Sequence, residues 1–298
     1  QRLAMLPLML TPAFTAWAFK YNANSILLLL WPWAAYFTLR MTQTQSASNA
    51  LLAGAFAGLA MLGKYYSIVL LATLGLTLIA HPARRRVFSS MAPYLAALAA
   101  LAVLAPHVWW LTQTEASTIG YMMEKTQYDP REARLTTLRS LGAGLLTLLL
   151  PALFMGLAFR ADWPGHRARL RAGLSDPSRL WVLILAAGPF VLTALAHLIV
   201  GVRIGGDFLL PAFIGVPLAF VVLHGPGFPL LAVNRFSLGT ALVVGGLGVL
   251  SPVIGVIAFW GSSAPLLEPR RELALAATDI WRGATGQPLR RVAGNERQ

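Results

Sequence analysis

A chain of 298 residues with 12% charged and 57% apolar side chains, at a mean hydropathy of +0.64, cannot be a water-soluble globule, because an ordinary soluble domain carries roughly 25% charge. So much Leu, Ala, Val and Phe must face lipid, and the formal net charge of +13 must then sit in the loops. The absence of cysteine excludes disulfides, thiolate chemistry and Cys-built metal sites, and the five histidines never reach ligand spacing.

A helix needs about 17 to 25 apolar residues to cross a bilayer, and on that measure the chain is predicted to be an all-α polytopic membrane protein of about nine spans. The first four run from about Leu3 to Phe19, Ser25 to Leu39, Ala50 to Gly63 and Ser67 to Ala80, and His81-Pro82-Ala83-Arg84-Arg85-Arg86 stops the last of them. The fifth covers Phe88 to Leu111 and is followed by a long polar stretch, Thr112 to Arg139. The sixth, Ser140 to Phe159, leads into an arginine-rich loop, Arg160 to Arg179. The seventh, eighth and ninth cover Leu180 to Val200, Phe208 to Leu223 and Phe236 to Trp260.

Residues 1–260 thus read as a transmembrane domain, and residues 261–298 as the beginning of an extracytoplasmic soluble α/β domain. In the tail, Leu273, Ala276, Ala277, Ile280 and Trp281 recur at helical spacing after Pro269, with Gly283 and Gly286 at the end, and Leu289 to Val292 is predicted to start a strand. Gln1 follows no recognisable start signal, so the chain reads as part of a longer protein.

Charge gives the sides. Strict alternation puts eleven basic residues on the side of Arg2, Arg40, Arg84, Arg160 and Arg235, and seven on the side of Lys20, Lys64, Lys125, Arg131, Arg134, Arg139 and Arg203. The first side is therefore expected to be cytoplasmic and the tail extracytoplasmic. The arginines from 160 to 179 are expected to need no partner beyond anionic lipid head groups.

Several polar groups mark the opposite face. An ionisable residue between apolar stretches is costly, so Lys64, in Gly63-Lys64-Tyr65-Tyr66-Ser67, is either a functional cation or an interfacial lysine that snorkels inside an aromatic belt. Asn24 and Ser25 read either as helix caps or as site-lining groups. His107, in Pro106-His107-Val108-Trp109-Trp110, reads as a structural residue beside an interfacial anchor or as part of a site. Arg203, in Gly201-Val202-Arg203-Ile204-Gly205-Gly206-Asp207, offers a planar fork suited to phosphate, or a salt bridge to Asp207. Glu115, Glu124 and Asp129 have no evident pairing. Gly54 and Gly58 are spaced for close helix packing. Lys64, His107 and Arg203, with Tyr65 and Asn24 at similar depth, form a basic set that suits a lipid-linked phosphate.

The stretches Asn22 to Leu29, Leu59 to Ser67 and Pro106 to Leu111, with Glu268 to Leu273, Trp281 and Gly286 to Gly294 in the tail, resemble in order and spacing the bacterial glycosyltransferase family 39. That family includes protein mannosyltransferase and aminoarabinose transferase relatives within the C-type glycosyltransferase superfamily. The resemblance implies an enzyme of the bacterial inner membrane that moves a sugar from a polyprenyl-phosphate donor to an extracytoplasmic lipid, polysaccharide or protein. It makes Lys64 the first candidate for the donor phosphate and Arg203 the second, with Asn24, Tyr65 and His107 as possible site-lining residues. Asn24 stands where relatives commonly carry Asp, and the acidic catalytic base of the family is expected ahead of Gln1. No metal, cofactor or nucleic-acid partner is expected. The rival reading is a transporter or flippase for a lipid-linked saccharide, which predicts inverted repeats with matching broken segments; the Gly63-Lys64 break has no clear counterpart.

Overall fold

The computed structural model describes residues 2–11, 23–113, 130–200, 206–225, 228–261 and 270–289, and every regular element among them is helical. The chain forms two compact units, Gln1–Val244 and Gly245–Gln298. Four stretches are long and apolar enough to cross a membrane: Ala92–Gln113, Arg131–Leu174, Pro177–Ile199 and Leu230–Val253. Shorter apolar helices cover Ala47–Gly63, Tyr65–Ala80 and Phe208–His224. The predicted strand from Leu289 lies outside the described residues beyond its first position.

The first unit opens with α1 (Arg2–Met9), α2 (Ala23–Thr44), α3 (Ala47–Gly63) and α4 (Ile68–Ala80). On α2 the buried positions Asn24, Leu27, Trp31, Ala34, Thr38 and Met41 recur at three and four residues, so one stripe faces the interior. A cluster of Leu27, Leu30, Trp31, Ala34, Ala60, Leu70, Leu74 and Leu185 joins that stripe to α3, α4 and α10 (Leu180–Val200).

Small residues allow the closest approach. Ala50, Ala53, Ala57 and Ala60 are buried on α3, and a Cβ added at Gly54 would lie 2.0 Å from the Ala96 carbonyl oxygen of α6 (Ala92–Gln113). Gly54 and Gly58 therefore serve packing, as their spacing predicts. The other side of α6 is bare: Leu98 and Leu101 are exposed and Ala92 alone is buried on this helix, as suits a surface covered by lipid. A short α5 (Arg84–Phe88) precedes it.

Two predicted spans take a different form. In place of a single helix from Ser140 to Phe159, the structure has α7 (Pro130–Leu146) and α8 (Leu149–Phe159). The cause lies in Pro151, which has no N–H for the Thr147 carbonyl four residues back; around it Leu148 N bonds to Leu145 O, a tightened turn. Helix α7 also starts inside the predicted polar loop, with Pro130 in its first turn and Glu132 near its N-terminus, both favourable there. The predicted Phe208 to Leu223 span becomes a 3-10 segment, Gly206–Phe213, followed by α11 (Val216–His224). Pro217 has no N–H for the Phe213 carbonyl, and Gly215 sits so close to α10 that a Cβ there would be 2.6 Å from Leu185 O.

The arginine loop also differs from expectation. It folds as Arg160–Asp162, α9 (Trp163–Leu174) and Pro177–Arg179, and two of its arginines are structural. Arg179 donates to the carbonyls of Val222 and Leu223 at 2.8 and 3.0 Å, capping the C-terminus of α11, and pairs with Asp176 at 3.1 Å. Arg169 pairs with Asp162 at 2.7 Å and donates to His224 Nε2 at 3.2 Å. Lipid head groups are thus not the partners of these two.

Helix α12 (Leu230–Gly261) begins in the first unit and ends in the second. The second unit also holds α13 (Arg270–Thr285), the amphipathic helix expected in the tail, closed by Gly286 at φ 68°, a left-handed conformation that glycine adopts without strain.

Candidate functional site

Three of the loops that alternation assigns to one side meet at one end of the first unit. Gln45 Nε2 donates to Arg86 O at 3.2 Å, and the rings of His81 and Trp181 lie 5.3 Å apart. At the other end the turn between α3 and α4 carries Lys64, Tyr65 and Tyr66, and each of the three reaches a different distant element.

This turn is built by local rules. Helix α3 stops where Lys64 adopts an extended conformation, φ −166° and ψ 129°, and Tyr65–Ser67 makes one 3-10 turn before α4. Ser67 is fully buried; its hydroxyl donates to Ala60 O at 2.8 Å and accepts from Trp31 Nε1 at 3.0 Å. Trp31 in turn stacks on Tyr66 at 5.8 Å between centroids. A buried polar bond of this kind is costly to break, so the turn is fixed to α2 as well as to α3.

Lys64 Nζ donates to Asn24 Oδ1 at 2.6 Å and lies 3.4 Å from the centroid of the Phe208 ring. Both groups favour the charged ammonium, one through an amide dipole and one through the face of a π system. Asn24 is buried and Lys64 half-buried. The capping reading of Asn24 is therefore incomplete: its carboxamide oxygen serves the lysine.

Tyr65 turns the opposite way. Its hydroxyl shares a 2.5 Å hydrogen bond with His107 Nε2, and the His107 ring stacks on Trp110 at 5.7 Å. Tyr66 shares a 2.6 Å bond with Thr193 Oγ1 of α10 and meets Phe208 edge to face at 5.2 Å. The structure thus brings Asn24, Lys64, Tyr65 and His107 to one end. Arg203, Glu115, Glu124 and Asp129 lie outside the described residues.

Three participants escape sequence reasoning. Tyr66 reads as one more aromatic of an interfacial belt, Thr193 as a polar gap in an apolar span, and Phe208 as the first apolar residue of a helix. No spacing links any of them to Lys64. Among the described residues no three His, Cys, Asp or Glu side chains come together in a way that could hold a metal ion.

An ammonium held at the end of apolar helices by an amide oxygen and an aromatic face can bind an anionic headgroup whose tail stays in lipid. Residues 2–110 match the family model described as dolichyl-phosphate-mannose-protein mannosyltransferase, a range that contains Asn24, Lys64, Tyr65 and His107. The similarity is confined to that range of the chain. No curated protein and no solved structure matches the chain.

Proposed function

From a stretch of mannosyltransferase type carrying this cationic turn, we propose that the protein transfers a sugar from a polyprenyl-phosphate donor to an extracytoplasmic acceptor, a glycan, lipid or protein, at the bacterial inner membrane. Lys64 binds the donor phosphate, with Arg203 as a second cation, and Asn24, Tyr65 and His107 line the site. The observation that supports this reading is the Lys64 ammonium held between Asn24 Oδ1 and the Phe208 ring.

The chemistry follows from charge. As the bond between the sugar's anomeric carbon and the phosphate oxygen breaks, the electron pair stays on the phosphate, and the acceptor oxygen forms the new bond and loses its proton. A fixed cation beside the leaving phosphate is worth more in the transition state than in the ground state, so it lowers the barrier. Asn24 and Phe208 keep the ammonium in place before the donor arrives, which removes a reorganisation cost.

A binding comparison tests the reading. Wild-type protein in detergent is expected to retain polyprenyl phosphate in preference to the uncharged polyprenol, and Lys64→Ala is expected to abolish the preference. Equal retention of the two lipids by the wild type would contradict it.

A further inference from the structure

The arginine loop splits its cations between two tasks. Its two aspartates are taken by Arg169 and Arg179, and both of these also reach the end of α11. Arg160, Arg167 and Arg171 are exposed and, among the described residues, form no ion pair.

Helix α9 lies across the end of α11 rather than along it. His166, Arg169 and Gly173 span about 10 Å of helix rise, yet all three meet the last turn of α11 between Phe220 and His224. The His166 ring lies 5.7 Å from Phe220 and 4.8 Å from His224, and a Cβ added at Gly173 would fall 2.0 Å from Leu223 O. A polar helix that crosses the end of an apolar one runs along the membrane boundary.

Two of the three arginines share one stripe of that crossing helix, and the third, Arg160, stands in the 3-10 segment just ahead of it. Trp163, Arg167, Arg171 and Leu174 follow one another at intervals of three and four residues, so they face the same way. Trp163 is 44% exposed and Leu174 55% exposed, although both are apolar. Guanidinium forks match phosphate oxygens two at a time, and an indole sits well at head-group depth, where its ring meets acyl chain and its N–H meets water.

We propose that this stripe binds the anionic phospholipid head groups of the leaflet that α9 meets. Charge complementarity selects the anionic head group. The exposed Trp163 and Leu174 beside the cations select a lipid over a soluble anion, which would gain nothing from apolar neighbours. The inference is independent of the transferase reading, because it uses none of Asn24, Lys64, Tyr65 or His107.

The full chain, purified in detergent, can be titrated with phosphatidylglycerol and with phosphatidylcholine while bound lipids are counted by native mass spectrometry. Wild type is expected to prefer phosphatidylglycerol, and the triple change Arg160→Gln, Arg167→Gln and Arg171→Gln should weaken that preference about fivefold per arginine. The triple change to lysine should keep part of it, the charge without the two-point match to phosphate. Unchanged preference in the glutamine variant overturns the proposal, as does displacement of the lipid by inorganic phosphate at equal concentration. Should the glutamine variant fail to fold, quenching of Trp163 in wild type by brominated phosphatidylglycerol, read as the difference from Trp163→Phe, decides the matter: no excess over brominated phosphatidylcholine overturns it.

Discussion

Lys64 Nζ donates to Asn24 Oδ1 at 2.6 Å, so the cation at the α3–α4 break is positioned by the first turn of α2. An amide at this position orients the ammonium through its carbonyl oxygen. Asn24→Ala would remove that acceptor and let the ammonium leave its position. The KM for a polyprenyl-phosphate donor is then expected to rise about tenfold, in line with roughly 1.4 kcal/mol of lost binding. Steady-state transfer with a purified lipid-linked sugar reads this directly, and an unchanged KM would separate Asn24 from donor binding.

The Trp31 indole fixes the turn that carries Lys64, through its bond to Ser67 and its stacking on Tyr66. Trp31→Phe keeps a ring but loses the donor and leaves space in a fully buried site, so thermal unfolding in detergent should show a loss of about 1–3 kcal/mol. Transfer activity should fall with it, since Lys64 adjoins that turn.

Close helix approach at Gly54 makes a second stability prediction. Gly54→Leu drives a side chain into the Ala96 carbonyl and should cost at least about 1–3 kcal/mol, measured by the same unfolding assay. At Gly75 nothing lies within 4 Å, and Gly75→Ala should leave stability unchanged or raise it by up to about 1 kcal/mol. Equal effects at the two glycines would contradict the packing described for α3 and α6.

Below α11, the side chain and backbone of Ser178 hydrogen-bond Asp176, and with the Arg179 charge they hold its carboxyl below the usual carboxylate range. A carboxyl with a lowered folded value contributes stability above its unfolded value, about 3.9, and loses it as pH falls through the folded one. The melting temperature should therefore hold steady from neutral pH to about 5 and fall below about 4. Asp176→Asn should remove part of that fall, and an unaltered acid limb in this variant would discount the pair.

The helices were readable where hydropathy decides them. Lys64 breaks α3 from α4 where an ionisable residue interrupts an apolar run, and α10 fills the predicted Leu180 to Val200 span. Hydropathy counts do not weigh the missing proline N–H, so the breaks before Pro151 and Pro217 were not legible as breaks. In the candidate site, the residue types at Asn24, Lys64, Tyr65 and His107 were legible as polar groups at one face. Their pairing was not, because Lys64 with Asn24 and Tyr65 with His107 are contacts between helices, which periodicity within one helix cannot specify. The arginine loop shows the same limit: its charge was plain, but the use of Arg179 as a cap on α11 depends on where α11 ends.

The central claim is that Lys64 stabilises a leaving phosphate, and turnover of the protein tests it most directly. With a polyprenyl-phosphate sugar as donor in reconstituted vesicles, Lys64→Ala is expected to lower sugar transfer by about 10²-fold or more, the cost of one such donor. Melting temperature measured alongside separates the cost of leaving the buried Asn24 without this donor from the loss of turnover. Wild-type turnover in Lys64→Ala would contradict the account.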